Sequence, residues 1–222
     1  MEQEAPPADM LCSVCREAQF SWKCLDCQGG CFYCTPCLRQ LHQQSPFHRI
    51  KSWDGSCFER AWLYQTGIEI HLGHNGAPCP ATICEDPEPP EDTGTPWIST
   101  PLADDELEGT QPDPGIPLGA SRKSGFPRYQ KRNYKLIVDQ TGVHPLKVNL
   151  CYCLGAEAQD LQYMSSGLFP ASFEQVETAF TFRVLDDLRM ENLECKTPVL
   201  NYWHCLRRIT APLDPESVPV SI

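Results

Sequence analysis

Apolar and polar positions change their period twice along this chain of 222 residues. From Tyr134 to Asp139 apolar residues alternate and include the β-branched Ile137 and Val138, as a strand requires. Gln140-Thr141-Gly142 is a turn signal, and Val143 to Cys151 alternates again with Val148 and Leu150 on one face, so a β-hairpin is predicted. Thr66 to Leu72 is another strand candidate, and Asp160 to Met164, ended by Ser165-Ser166-Gly167, is predicted as a further strand. Three or four strands would then pair in a small antiparallel sheet. After Phe169-Pro170 the period becomes helical: Phe180, Val184, Leu185, Leu188 and Leu193 share one face. Thr197-Pro198 reads as an N-cap with Pro at the first helical position. Leu200, Trp203, Leu206 and Ile209 follow at helical spacing, Arg207 and Arg208 suit the helix end, and Pro212 and Pro215 close it.

Composition divides the chain more sharply than the pattern does. Residues 10–84 hold ten of the 14 Cys and four of the six His. Residues 85–128 hold nine Pro and few large apolar residues, which predicts a disordered spacer. The formal charge of −11 resolves into −2 for residues 1–84, −10 for 85–121 and +1 for 122–222. The acidity therefore belongs to the spacer and leaves nucleic-acid binding by the rest open. The expected organisation is a tail at 1–9, a zinc finger at 10–52, and a cysteine-cluster domain split between 53–84 and 134–210. An acidic Pro-rich insertion at 85–133 and a tail at 211–222 complete it. No apolar run reaches the roughly 20 residues of a membrane helix, and Met1 to Asp9 lacks the basic start and apolar stretch of a secretory signal. Clustered Cys in a reducing compartment point to metal rather than disulfides.

The spacing of the Cys supports that reading. Cys12-Ser-Val-Cys15, Cys24-Leu-Asp-Cys27 and Cys34-Thr-Pro-Cys37 are three C-x2-C knuckles, followed by His42 and His48. Two intervening residues let both thiolates face one tetrahedral zinc at about 2.3 Å. Four ligand pairs imply two zinc ions. The short gaps suit a cross-brace, with Cys12 and Cys15 joining Cys34 and Cys37, and Cys24 and Cys27 joining His42 and His48; sequential pairing is the alternative. Cys31 reads as a bystander. Further on, Cys151-Tyr-Cys153 puts two thiols on one strand face. With His74 and Cys79 they make a Cys3His set, a third structural zinc site, with Cys84 the alternative to Cys79. Cys57, Cys195 and Cys205 read as packed thiols, and His71 and His144 as residues near the third site or on strand faces.

The finger array resembles a B-box-type zinc finger. Ser45 to Gly55, Phe58-Glu-Arg60, Gly67 to His74, Pro78-Cys79-Pro80, Asp139 to His144, Cys151-Tyr-Cys153, Gly167 to Ala171 and Thr178 to Asp186 are together similar to one family. It is the CxC type 2 cysteine cluster at the N-terminus of fungal Kyakuja–Dileera–Zisupton (KDZ) transposases. The resemblance spans about residues 10–84 and 134–210, and it points to the same Cys3His positions. It implies association with a mobile element and DNA or transposase nucleoprotein, or a protein, as partner. The family's catalytic carboxylate domain has no counterpart here, so the expectation is a protein that is not an enzyme.

The chemistry left over agrees with that. There is no phosphate-binding Gly loop and no nucleophile elbow. Arg122 to Lys135 carries six basic residues and three aromatics in 14 positions. It reads first as a solvated lead-in to a strand that offsets the acids. The alternative is nucleic-acid contact through Arg128, Lys131, Arg132 and Lys135, or a nuclear-import stretch. The sequence thus predicts a small zinc-stabilised α+β protein with a cross-brace finger, a CxC-bearing antiparallel sheet and two C-terminal helices. Two zinc ions belong to the finger and a third to the CxC site; neither a membrane nor a small-molecule substrate is expected, and the nucleus is the expected location, with the cytoplasm the alternative.

Overall fold

The computed structural model describes residues 10–81 and 134–219. The tail at 1–9, the acidic insertion and Cys84 lie outside the described residues.

Strands alternate about the metal knuckles in the first sheet. β1 (Trp22–Cys24), β2 (Phe32–Tyr33), β3 (Ile50–Trp53) and β4 (Phe58–Ala61) pair antiparallel in the order β2-β1-β3-β4. Cys24, Ile50 and Ala61 face inward and are buried, as period 2 requires. The helix α1 (Thr35–His42) opens with Pro36 in its first turn, where a missing N–H costs nothing. Because β4 completes this sheet, the finger's sheet crosses residue 52, where the sequence places the finger's end.

The second sheet follows the order β5-β7-β6-β9-β8. Its elements are β5 (Glu69–His71), β6 (Tyr134–Asp139), β7 (Gly142–Asn149), β8 (Leu168–Pro170) and β9 (Thr178–Thr181). The β6–β7 hairpin is antiparallel as expected, with Asp139 opposite Gly142. β5 joins β7 in parallel and β9 joins β6 in parallel, so the sheet is mixed. Parallel neighbours need a crossover of a dozen or more residues. Residues 72–141, β6 among them, separate β5 from β7, and residues 140–177, with β7, the helix α2 (Gln159–Ser165) and β8, separate β6 from β9.

That helix corrects the strand expected at 160–164. The segment has no β-branched residue, and Gln162 and Tyr163, adjacent in sequence, are both buried, which alternation forbids. Phe180, expected in a helix, lies within β9 instead. The helix α3 (Phe182–Cys195) starts after it, with the Thr181 hydroxyl accepting from Val184 N at 3.2 Å. The helix α4 (Val199–Thr210) begins one residue later than expected. Trp203 and Leu206 are buried under it, whereas Leu200 is exposed, as is Leu193 on α3. Cys195 and Cys205, expected in the core, are exposed as well. The α+β class holds.

Two apolar clusters carry the packing. One joins finger to sheet, with Tyr33, Leu38, Ile50, Leu63, Ile68, Ile137, Leu146 and Tyr163 in contact. The other lies under the helices, around Leu136, Val138, Val143, Val184, Trp203 and Leu206. The hairpin turn is locked to α4 at Gly142, whose φ is +126°. A Cβ there would come 2.6 Å from the Thr210 hydroxyl, which accepts from Val143 N at 2.8 Å and donates to Leu206 O at 2.7 Å. Gly142→Ala is expected to destabilise the fold by about 1–3 kcal/mol through backbone strain and displacement of Thr210. A denaturant midpoint equal to that of the parent protein would refute this account.

Candidate metal centres

Three groups of four donor atoms form where chain turns bring them together. Cys12, Cys15, Cys34 and Cys37 make the first, Cys24, Cys27, His42 and His48 the second, and His74, Cys79, Cys151 and Cys153 the third. Within each group the ligand atoms all lie within 4.8 Å of one another. These are the twelve residues selected from spacing, and the finger pairs interleave as a cross-brace. Among the described residues Cys79 completes the third group; Cys84, the alternative, lies outside them.

The donor chemistry fits a tetrahedral metal. A zinc ion with Zn–S bonds of about 2.3 Å sets S···S edges of about 3.8 Å. Here Cys15 and Cys34 Sγ are 3.9 Å apart, Cys79 and Cys151 Sγ 3.8 Å, and Cys79 and Cys153 Sγ 3.6 Å. These separations are far too long for disulfides, whose sulfurs sit at about 2.05 Å. Sulfur-to-imidazole distances run from 3.2 to 3.6 Å: His48 Nδ1 faces Cys24 and Cys27, His42 Nε2 faces Cys27, and His74 Nε2 faces Cys151 and Cys153.

Local structure supplies each donor. Cys34 is the N-cap of α1 and His42 its last residue, so one helix serves both finger sites. The His42 Nδ1–H donates to Leu38 O at 3.0 Å, one turn back, which leaves Nε2 as the ligand atom. Cys27 N donates to Cys24 Sγ at 3.4 Å inside the second knuckle. Asp26, between those two thiols, accepts from the backbone and guanidinium of Arg49, which follows His48. This clamp holds the second knuckle against the second histidine. Although burial pushes the Asp26 carboxyl up, Arg49 holds it below the usual carboxylate range.

The third site closes through a left-handed turn. Gly73, His74 and Asn75 have φ of +92°, +46° and +52°. A Cβ on Gly73 would come 3.0 Å from Cys151 Cβ, so glycine permits the approach of the two chains. From α2, Gln162 Oε1 accepts from Cys151 N at 2.8 Å and its Nε2 donates to Cys151 O at 3.0 Å. This side chain acts as a substitute strand neighbour for the CxC loop.

Thiols crowded like this oppose one another's ionisation. Side-chain hydrogen bonding with Cys34 pushes the Cys37 thiol up to about 12, and with Cys79 pushes Cys153 up to about 11. Burial pushes Cys24 up to about 12. Burial also raises Cys12, but backbone N–H groups of Cys34, Cys15 and Val14 outweigh it and bring the thiol down to about 6. A divalent cation reverses this logic, since it holds several thiolates at once.

Other sequence candidates fall elsewhere. Cys31 is half-buried against the finger core, outside the four-donor groups. His71 lies 3.3 Å from Asn149 Nδ2 on the strand face. His144 is buried, its Nε2 is 2.9 Å from the Thr141 hydroxyl, and burial pushes it down to about 4. That hydroxyl reaches Phe47 O at 2.6 Å, tying the hairpin turn to the residue before His48. Cys57 is exposed rather than packed, close to Asp54 and Glu59, where Asp54 accepts from Ser56 N and Cys57 N to shape the turn. Of the basic stretch, only Lys135 among the selected residues is described. It lies in β6 with Nζ 3.1 Å from Glu177 Oε1, a paired cation rather than one free for phosphate. Arg128, Lys131 and Arg132 lie outside the described residues.

Sequence reasoning missed Gln162, Gly73 and the Asp26–Arg49 clamp. The clamp had a signal, since its members sit inside a knuckle and beside a ligand; Gln162 had none.

Residues 116–214 match the family model described as CxC2 like cysteine cluster associated with KDZ transposases. The match takes in a little under half of the chain. It contains Cys151 and Cys153, the strands from β6 onward and both C-terminal helices, while the finger, His74 and Cys79 lie upstream. The resemblance read from the motifs is borne out over that stretch, which is similar to the cysteine cluster of that family. No curated protein and no solved structure matches the chain.

Proposed function

We propose that this protein is a zinc-stabilised docking module, without catalytic activity, that serves a KDZ-type transposition system by engaging DNA or a protein partner. The reading rests on one observation above all: each donor group is complete with four protein ligands. A four-coordinate site closed by protein has no open position for a substrate or an activated water, so its metal acts in folding. Cys12, Cys15, Cys34 and Cys37 would hold one ion, Cys24, Cys27, His42 and His48 a second, and His74, Cys79, Cys151 and Cys153 a third. The ion supplies thiolate stabilisation and cross-linking. The finger on this reading is B-box-like, and the working location is the nucleus.

A protein partner has a place to dock. Met190, Leu193, Val199 and Leu200, at the tip of the α3–α4 hairpin, are each at least half exposed. Apolar groups gathered in this way on a surface mark interaction sites more often than chance.

Native mass spectrometry tests the metal on which the reading depends. Three zinc ions per chain are expected. A folded protein that carries none ends the proposal.

A further inference from the structure

The outer face of the finger's sheet serves no metal group; its rings Phe32, Trp53 and Phe58 pack around the buried Phe20, at 4.8, 6.3 and 6.1 Å between ring centres, and stay partly exposed themselves. Register sets Lys23 opposite Lys51 and Lys51 opposite Arg60, so three cations stand side by side across β1, β3 and β4. Phe32 lies opposite Lys23 on β2, and Trp53 lies opposite Phe58. Residues two apart on a strand point the same way, so these rings share the face with the cations. Phe58 is 5.7 Å from Phe32 and 4.8 Å from Trp53, ring centre to ring centre. Lys23 Nζ sits 5.3 Å from the Phe32 centroid and 5.9 Å from that of Phe58, and the Arg60 guanidinium sits 5.5 Å from that of Trp62. All of these side chains are partly exposed.

Two properties of the face ask for an anionic ligand with flat groups. Like charges directly opposite on neighbouring strands repel. Among the described residues no ion pair joins Lys51 or Arg60 to a carboxylate. Arg60 donates to the Ile209 carbonyl at 3.2 Å, which leaves its charge in place. Glu59 alternates to the other face, and Asp54 is turned onto its own loop's N–H groups. Beside the cations, three partly exposed rings form a platform. An acidic peptide would meet the cations and leave the rings unused. A duplex keeps its bases stacked on one another. A single strand offers phosphates to the cations and free base faces to the rings.

We propose that this face binds single-stranded nucleic acid, with bases on Phe32, Trp53 and Phe58 and phosphates on Lys23, Lys51 and Arg60. The proposal rests on the docking reading and assigns it a surface and a ligand class. It also places the contact on the finger instead of the basic stretch at 122–135.

The test is fluorescence anisotropy of the zinc-loaded full chain with a labelled oligothymidine of about 15 nucleotides, titrated in salt from about 50 mM upward. Lys51→Gln is expected to weaken binding and to flatten the salt slope by roughly 0.7, the value for one phosphate of a single strand. Trp53→Leu is expected to weaken binding by about 5- to 100-fold with the slope unchanged, as loss of one stacking ring does. Should Trp53→Leu lose its zinc, Lys51→Gln and Lys51→Glu carry the test alone. Zinc content is measured on every sample, so a zinc-free parent protein speaks against the docking module itself. A zinc-replete protein that ignores the single strand overturns only this inference. Equal binding of duplex or of polyglutamate also overturns it, as does binding that Lys131→Gln with Arg132→Gln abolishes and Lys51→Gln leaves intact.

Discussion

Stripping the metal from the purified chain with a chelator is expected to unfold the finger and to loosen the strands behind it. The finger's own apolar residues are few: Tyr33, Leu38 and Ile50 are its large buried side chains in the shared core. A module of this size draws its folding free energy from metal, about 10–16 kcal/mol for a structural zinc at neutral pH. That exceeds the net stability of about 5–15 kcal/mol typical of whole domains. Loss of both finger ions would free α1, since His42 of the second group ends that helix and Cys34 of the first caps it. Leu38 would then leave its contacts with the shared core, and the damage would spread to the sheet. Near-UV circular dichroism of Trp22 and Trp53 and trypsin cleavage at Lys23 and Arg39 report the change. Cys34→Ala should reproduce the loss of the first ion, whereas Cys31→Ala should retain both finger ions. A chelated protein with an unchanged near-UV spectrum and melting temperature would remove metal from the account of this fold.

The second large effect concerns the third site. Cys153→Ala is expected to lower the metal count by one and to reduce stability, with the finger still folded. Cys79 and Cys151 are 72 positions apart. Joining points that far apart removes chain entropy from the unfolded state worth about 4 kcal/mol at this length. An ion held there would act as a clip between sequence positions on either side of the insertion. Gln162→Ala should be milder and should spare the metal, because it strands the Cys151 N–H and carbonyl at a cost of about 1–3 kcal/mol. Native mass spectrometry paired with thermal unfolding separates the two variants. Retention of the full metal count in Cys153→Ala would show that the third group holds no ion.

How much of this was legible beforehand depends on whether the signal is local. Knuckle spacing is local: a C-x2-C pair can reach one ion because only two residues intervene, so the six knuckle thiols could be picked out with His42 and His48, whereas the set of His74, Cys79, Cys151 and Cys153 was read from residue type and the family resemblance. The β6–β7 hairpin was equally plain, since alternation and its turn lie within one short stretch. The helix at 159–165 was misread because a seven-residue segment carries too few periods to tell strand from helix. Leu193, Leu200, Cys195 and Cys205 fit helical faces as expected, yet they are exposed. Periodicity says which residues share a face and says nothing about what covers it.

By itself the sequence picked out the Cys and His that come together in the three groups, the class of the fold, the acidic composition of residues 85–121 and a resemblance to the KDZ-associated cysteine cluster. Those follow from residue type and short spacing. Tertiary structure decided which knuckle pairs with which, the parallel edges β5 and β9, the clamp of Asp26 on Arg49 and the service of Gln162 to Cys151. It also gathered Lys23, Lys51, Arg60 and their neighbouring rings onto one face. Each of these joins residues distant in the chain, and such contacts are set by strand register and core packing, which no local pattern encodes.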